Sequence, residues 1–399
     1  MSENTQQPTP ESTPFLTIFL IFLRLGLTSF GGPIAHIGYF RREFVDQRHW
    51  LSESTFTQLL AICQFLPGPA SSQLGFAIGM QRGGWLGGLA AFSAFTLPSA
   101  VLLLLFALGV NEFVGLTPLI QGLKLVAVAV VADALLSMAR NLCPDRQRQV
   151  IALMAISLIA LIDTSWSQLI AVAGGAMLGF ALCKQASLSQ TEILTPNYHP
   201  RSGVIAGALF AGLLMVALIN PFPTGTHGNL FLSFYEAGAL VFGGGHVVLP
   251  LLESAVVDTG LVSSEAYLAG YGAAQAVPGP MFTFASYLGA VINTSSPILG
   301  ATVALIGIFL PGFLLLIAVL PLWKKAAEHR GMAAMVSGVN AAVVGLLACA
   351  FYDPVITSGV TSMIDFAIVT VAFVALHLWR MPAMWVILFC IMCGVLLGL

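Results

Sequence analysis

Two triplets, Pro67-Gly68-Pro69 and Pro278-Gly279-Pro280, lie inside apolar runs, each three residues after a glutamine, Gln64 and Gln275. Pro-Gly-Pro removes backbone donors and stops a helix. In hydrocarbon every backbone N–H and C=O needs a partner, so such a break is tolerated only where protein or a water-filled cavity surrounds it. Upstream, Gly31-Gly32 after Phe30 and Gly243-Gly244-Gly245 after Phe242 interrupt the preceding runs in the same way. Interruptions at corresponding positions of two halves point to a binding site; a single one would read equally well as a packing kink. After the first triplet the chain continues Ala70-Ser71-Ser72-Gln73. A helix starting there presents free N–H groups, a positive dipole end and two hydroxyls, which is an anion seat. The second half has Met281-Phe282-Thr283 instead, poorer in donors, so the two half-sites are expected to differ.

The charged residues within apolar runs add to this. Arg24 shares a helical face with Thr17 and Thr28, and an arginine at mid-bilayer costs roughly 2.5–3.5 kcal/mol on insertion scales. It is expected to face a cavity or a partner. Its counterpart in the second half is Glu236; that of Lys124 is Asn340. Two cations in one half against an acid and an amide in the other bias an anion site toward the first half. Glu236, with His246, becomes the candidate for proton coupling. The structural alternatives are an ion pair for Arg24 and a snorkelling side chain for Lys124. Asp133 is out of phase with Lys124 and is expected to serve a neighbouring helix. Arg41, Arg42 and Arg48 would gather anions, diluted by Glu43 and Asp46. Cys390 and Cys393 form a C-x-x-C in an apolar run, which reads as packing rather than redox chemistry. No zincin motif and no P-loop is present, so neither a metal nor another cofactor is expected, and an enzyme is not.

The elements that must position these residues follow from composition. The chain has 399 residues, 58% hydrophobic and 8% charged, with net charge -2; its mean hydropathy is +0.93. A soluble domain carries about 25% charged residues, and disorder needs the opposite composition. Six cysteines exclude a disulfide scaffold, and the charge gives no basic face for nucleic acid. What remains is an all-α polytopic membrane protein, with the lipid bilayer as its surroundings. The N-terminal 14 residues are polar and lack Lys and Arg, unlike a secretory signal.

The chain also repeats. Phe30-Gly31-Gly32 recurs at 242–244, Ser52-Glu53 at Ser264-Glu265, Pro67-Gly68-Pro69 at 278–280 and Leu97-Pro98 at Leu310-Pro311, an offset near 212 throughout. This is a domain duplication rather than a solenoid. The expected organisation is a polar tail (1–14), a first repeat (15–183), a polar linker (184–202), an extra span with its loop (203–229) and a second repeat (230–399). Apolar runs at 15–40, 55–81, 85–108, 118–140, 150–163, 167–183, 203–219, 230–252, 265–292, 298–320, 334–352, 363–378 and 383–399 give about 13 spans, with helices broken at FGG and PGP. With the N-terminus inside, Arg82, Arg140, Arg146, Arg148, Lys184, Arg201, Lys324, Lys325, Arg330 and Arg380 face the cytoplasm, and Arg41, Arg42 and Arg48 fall outside. The positive-inside rule prefers this orientation, with the C-terminus outside. Six spans plus one extra make the halves an inverted repeat; a re-entrant hairpin at 55–81 in place of a crossing would make them parallel. Thirteen spans form a bundle alone, so a homodimer is compatible but not demanded.

FGGPIAHIGYFRREFV (30–45), QFLPGPASSQLG (64–75), FGGGHVVLPLLE (242–253) and AQAVPGPMFTFASYLG (274–289) together resemble the chromate ion transporter family in its long-chain, two-domain form. The resemblance runs from about residue 15 to the end. It implies an exporter in the plasma (inner) membrane that lowers cytoplasmic chromate at the expense of the proton motive force. Arg24, Lys124 and the motif residues are what it carries across. Chromate and sulfate are both tetrahedral dianions, and backbone N–H groups, hydroxyls and one or two cations would hold either. The alternative class is an anion channel or an oxyanion-binding sensor without coupled pumping.

Overall fold

The computed structural model describes residues 13–29, 32–112, 117–162, 167–183, 198–241, 248–323 and 330–397. Their regular elements are all helices. Five segments are long and apolar enough to cross a membrane: Ala70–Gly109, Gln121–Leu142, Pro200–Ile219, Pro297–Leu322 and Ala334–Asp353.

The first repeat opens with two hairpins of short helices. α1 (Phe15–Thr28) and α2 (Gly32–Arg41) fold back on one another about the first glycine break. Phe22 of α1 lies 5.8 Å from Phe40 at the far end of α2 and 5.0 Å from Phe44 in the π turn that follows. α3 (Glu53–Phe65) stops at the first Pro-Gly-Pro, and α4 (Ala70–Glu112) starts just after it. Trp50, just before α3, has the Arg82 guanidinium 5.3 Å from its ring. The two ends of this hairpin therefore meet, with the Pro-Gly-Pro at its tip.

α4 is itself bent into two limbs at Gly83-Gly84, where Gly84 takes φ +59°. That region is open to glycine at no steric cost. The limbs pack so closely that a Cβ on Gly79 would strike the Gly87 carbonyl, and one on Gly88 would meet Met80 Cγ at 2.6 Å. Gly83/Gly87 and Gly84/Gly88 read from the sequence as two helix-packing faces; in the structure Gly83 and Gly84 make the turn, Gly83, Gly87 and Gly88 have close neighbours, and a Cβ on Gly84 would meet open space.

α5 (Thr117–Leu142), α6 (Arg146–Leu161), α7 (Ser167–Leu182) and α8 (Pro200–Ile219) complete the first half and the connection. The second repeat retraces the plan with α9 (His227–Leu240), α10 (Val248–Val256), α11 (Ser264–Ala276), a 3-10 turn, α12 (Phe284–Ile292) and α13 (Pro297–Val319). Tyr287 of α12 donates to the Ala266 carbonyl of α11 at 2.9 Å, which closes the hairpin about the second Pro-Gly-Pro. Gly289 and Gly300 bring α12 and α13 backbone to backbone, as Gly79 and Gly87 do in α4. α14 (Arg330–Ala350), α15 (Met363–His377) and α16 (Ala383–Leu397) follow. α14 packs on α7 through Gly338 against Gly175 and Gly179, and α5 packs on α16 through Gly122 and Gly394.

Helix caps keep the same symmetry. Ser52 caps α3 by accepting from Thr55 N–H, and Ser263 caps α11 by accepting from Ala266 N–H. The cap that corresponds to Ser52 is thus Ser263 rather than Ser264, one residue from the sequence alignment of the halves. Asp145 caps α6 and Ser362 caps α15 in the same way.

Runs 15–40, 55–81 and 265–292 are each two short helices folded back; the sequence counts each as one broken span and leaves open whether 55–81 and 265–292 cross or re-enter. Hydropathy does not separate these cases, because a hairpin of two apolar helices and one long helix give the same continuous run. The backbone breaks at glycine and proline decide.

Candidate functional site at the crossing of the two repeats

The hairpin tips meet across the repeats. Gly68 N–H donates to the Val241 carbonyl at 2.7 Å, and Gly279 N–H donates to the Ser29 carbonyl at 3.0 Å. Val241 immediately precedes the second FGG, and Ser29 immediately precedes the first. Each Pro-Gly-Pro therefore docks on the residue that precedes the FGG of the opposite half. Both glycines need positive φ, +115° and +111°. Behind each tip stands the other repeat's Leu-Pro segment: a Cβ on Gly68 would lie 2.9 Å from Gly312 Cα, and one on Gly279 2.8 Å from Ser99 Oγ. Gln73 ties the first tip down, its Nε2 donating to the carbonyls of Pro67 (3.0 Å) and Gly312 (2.9 Å). Ser286 of α12 donates to the Ala100 carbonyl at 2.9 Å.

The two half-sites differ in donors. At the first, the intrahelical ladder of α4 starts with Gln73 N–H to the Pro69 carbonyl, so the N–H groups of Ala70, Ser71 and Ser72 point out of the helix end. Ser71 and Ser72 are buried, at 4% and 2% exposure. At the second, residues 281–283 form a 3-10 turn, and Thr283 spends its hydroxyl on the Pro280 carbonyl at 2.6 Å.

His36 of α2, wholly buried, stands beside the first seat. Its Nε2 is 3.2 Å from the Ser29 carbonyl, its Nδ1 is 3.4 Å from Ser71 Oγ, and its ring meets Phe95 edge-on at 5.3 Å. The three segments that hold this ring each carry a buried hydroxyl with no hydrogen-bond partner among the described residues: Ser29, Ser72 and Thr96. A buried donor left unsatisfied costs about 1–3 kcal/mol, and each of these three is the residue that contacts the ring or its neighbour in the chain. Sequence reasoning gave no role to His36, Ser29 or Thr96. The available signal was position in the chain: Ser29 and His36 flank the first FGG, and Thr96 and Ser99 flank Leu97-Pro98.

The other expected residues fall in distinct places. Gly32 starts α2, while Gly31, Gly243, Gly244, Gly245 and His246 lie outside the described residues. Gln64 is exposed on α3, whereas Gln275 is half-buried and donates to Met281 Sδ at 3.6 Å. Pro69, Pro278 and Pro280 are buried at the tips. Arg24 is exposed on the outer side of α1 with Thr17 and Thr28, and no carboxylate among the described residues pairs with it. Lys124 is buried and lies 3.6 Å from Glu265 at the start of α11. The structure thus does not bring Lys124 to Arg24.

Glu236, half-buried on α9, lines a cavity of about 240 Å³ together with Asn220, Asn229, Ser233, Ser254 and Thr259. Asp133 meets a neighbouring helix, accepting from His377 Nδ1 of α15 at 2.8 Å. Arg41 pairs with Glu53 (2.9 Å) and Asp46 (3.4 Å), and Arg48 with Glu43 (2.7 Å). Two of the three arginines expected to gather anions are thus occupied locally.

The family model for chromate transporters matches residues 16–180 and again 228–395, once on each repeat. The chain belongs to the chromate transporter family. It is therefore a multi-pass membrane transporter and not an enzyme. The chromate transport protein of Pseudomonas aeruginosa is 31% identical over 366 residues, covering 88% of this chain and 84% of that one. The probable chromate transport protein of Synechococcus elongatus is 28% identical, covering 89% of this chain and 87% of that one. The chromate transport protein of Cupriavidus metallidurans is 26% identical, covering 89% and 86%. No solved structure matches the chain.

Proposed function

We propose that the protein exports chromate, or a related tetrahedral oxyanion such as sulfate, from the cytoplasm by alternating access of two inverted repeats. The observation that carries this is the pair of reciprocal bonds, Gly68 to Val241 and Gly279 to Ser29, with the donor-rich start of α4 beside them. Two interlocked tips form a single barrier that rocking of one repeat against the other opens alternately to each side.

Contacts at the helix ends support the inversion. Trp85, at the start of the second limb of α4, lies 5.4 Å from Tyr198, whose hydroxyl donates to the Ile317 carbonyl near the end of α13 at 2.7 Å. Asn293 after α12 donates to His227 at the start of α9 at 2.6 Å. The first repeat's hairpins then open at one end of the bundle and the second repeat's at the other. The crossing segments are the second limb of α4, α5, α6, α7, α8, α13, α14, α15 and α16; the four hairpins are re-entrant. Converting both 15–40 and 55–81 from crossings into hairpins leaves parity unchanged, so the repeats stay inverted.

Charge supports the same path. Arg41, Arg42 and Arg48 move to the end that holds Arg82, Arg140, Arg146, Arg148, Arg201, Arg330 and Arg380, which by the positive-inside rule is the cytoplasmic one. The C-terminus is then outside. Arg24 lies eleven residues beyond Thr13, about 16 Å deep at 1.5 Å per residue. An exposed arginine at that depth belongs on a water-filled face, and we take the α1 face as the wall of the cytoplasmic approach. Outward movement of a dianion is already favoured by an inside-negative potential, by roughly 2.3 kcal/mol per charge per 100 mV. Glu236, at the opposite end in its polar cavity, is the proton-coupling group. Lys124 enters through its pair with Glu265, which joins α5 to the second hairpin.

Chromate flux into and out of proteoliposomes of purified protein, under imposed pH and voltage gradients with sulfate as competitor, tests this. Saturable, gradient-driven flux with countertransport is expected. Arg24→Ala is expected to abolish flux at normal membrane levels, and Glu236→Gln to remove its dependence on the pH gradient. Unsaturable flux without countertransport would instead mean a channel, and no flux of any oxyanion would leave a sensor.

A further inference from the structure

We propose that His36 is a proton-operated switch that turns Ser71 from an acceptor into a donor, so that the seat at the start of α4 binds a dianion together with one proton. This rests on the oxyanion reading of that seat. A carbonyl only accepts, so Nε2, 3.2 Å from the Ser29 carbonyl, carries a hydrogen. In the neutral ring Nδ1 is then bare and accepts from Ser71 Oγ at 3.4 Å. Ser71 thus spends its hydrogen on the ring and turns lone pairs toward the helix end, where they repel an anion. A proton taken up from water at Nδ1 reverses the bond: Nδ1–H donates to Ser71 Oγ, and the hydroxyl hydrogen is released to an oxyanion oxygen. The added positive charge acts in the same direction. By linkage, a dianion in the seat and a proton on His36 favour each other.

The Ser29 carbonyl accepts both from His36 and from Gly279 N–H, which approaches at 3.0 Å. The switch therefore shares an atom with one of the two bonds that interlock the repeats. Charged groups on the surrounding elements leave the ring to the anion. Among the described residues no charged side chain touches it. On α1, Arg24 is exposed and five residues before Ser29, about 7 Å along the axis. Arg41 is as far along α2 and engaged with Glu53 and Asp46. Arg82 and Glu112 end the two limbs of α4. Beside Gly279, residues 277–283 carry no charge.

The test is sulfate binding to purified wild-type protein by calorimetry in two buffers of different ionisation enthalpy. Sulfate stays a dianion across about pH 6 to 8, so any proton taken up belongs to the protein. Wild type is expected to take up close to one proton per sulfate near neutral pH, with Kd rising about tenfold per pH unit once His36 is neutral in the free protein. His36→Gln keeps a donor for the Ser29 carbonyl and an acceptor for Ser71 and cannot be charged; it is expected to bind more weakly, with no proton uptake and a flat pH profile. Ser71→Ala, which leaves the histidine in place, is expected to lower affinity and reduce the uptake, and it decides the matter if His36→Gln does not fold. Proton uptake unchanged in these variants would overturn the switch while leaving the seat. A wild-type protein that binds no sulfate, chromate or molybdate would overturn the seat itself.

Discussion

Gly68→Ala is expected to abolish transport, and no compensating change nearby should restore it. The added Cβ meets two penalties at once. The backbone at φ +115° is a left-handed conformation that costs an L-residue roughly 1–2 kcal/mol. The Cβ also lands 2.9 Å from Gly312 Cα, a backbone atom that already lacks a side chain to trim. Overpacking of this kind costs about 1–3 kcal/mol. The bond most exposed to relief is Gly68 N–H to the Val241 carbonyl, so the interlocked arrangement should lose more than about a hundredfold in population. Gly279→Ala carries the same φ penalty, but its Cβ meets Ser99 Oγ at 2.8 Å, the end of a small side chain. Adding Ser99→Ala should therefore recover part of the flux lost by Gly279→Ala. Flux assays of the three variants, scaled to folded protein in the membrane, check the contrast. Wild-type flux in Gly68→Ala would show that the tips do not form the barrier.

A cysteine at Gln47 is expected to react with a membrane-impermeant maleimide from the cytoplasmic side only. Gln47 is exposed at the end of the π turn after α2. If 15–40 crosses the membrane once, this turn is outside; if α1 and α2 form a hairpin, it is inside. The outcome is all or none. Thr259→Cys, exposed after α10 of the second repeat, should react from outside only. The comparison needs a background in which the six native cysteines are replaced, and intact cells against inverted vesicles supply the two sides. Labelling of both positions from one side would remove the inversion of the repeats and with it alternating access by rocking.

These expectations separate what was legible in the sequence from what was not. Composition, charge scarcity and the recurrence of FGG and PGP identified a duplicated, membrane-embedded helical protein. That works because hydropathy and backbone-breaking residue types are local properties. The donor-rich stretch Ala70-Ser71-Ser72 was legible for the same reason: a helix start and hydroxyls carry their chemistry wherever they are placed. The pairing of Arg24 with Glu236 by repeat was legible as a correspondence, but not the environment of either.

Other features depended on which way the chain turns. An apolar run of two short antiparallel helices has the same hydropathy as one long helix, so the hairpins at 15–40, 55–81 and 265–292 had no sequence signature beyond their glycines and prolines. Lys124 read as a site cation because the sequence did not show Glu265 against it. Gly83/Gly87 and Gly84/Gly88 read as helix-packing faces because spacing alone does not distinguish a helix from a reversal at φ +59°.

The sequence by itself determined the class of protein, the duplication, and the motifs at which helices stop, since each follows from residue type and order. Only the tertiary structure decided that the Pro-Gly-Pro of each half docks on the end of a helical segment of the other, at Val241 and Ser29. It alone placed His36 between Ser29 and Ser71. Contacts between Gly68 and Val241, or Gly279 and Ser29, join residues far apart in the chain, and no local preference encodes them. They exist because two copies of one unit, each with unsatisfied backbone at its breaks, complete one another when packed face to face.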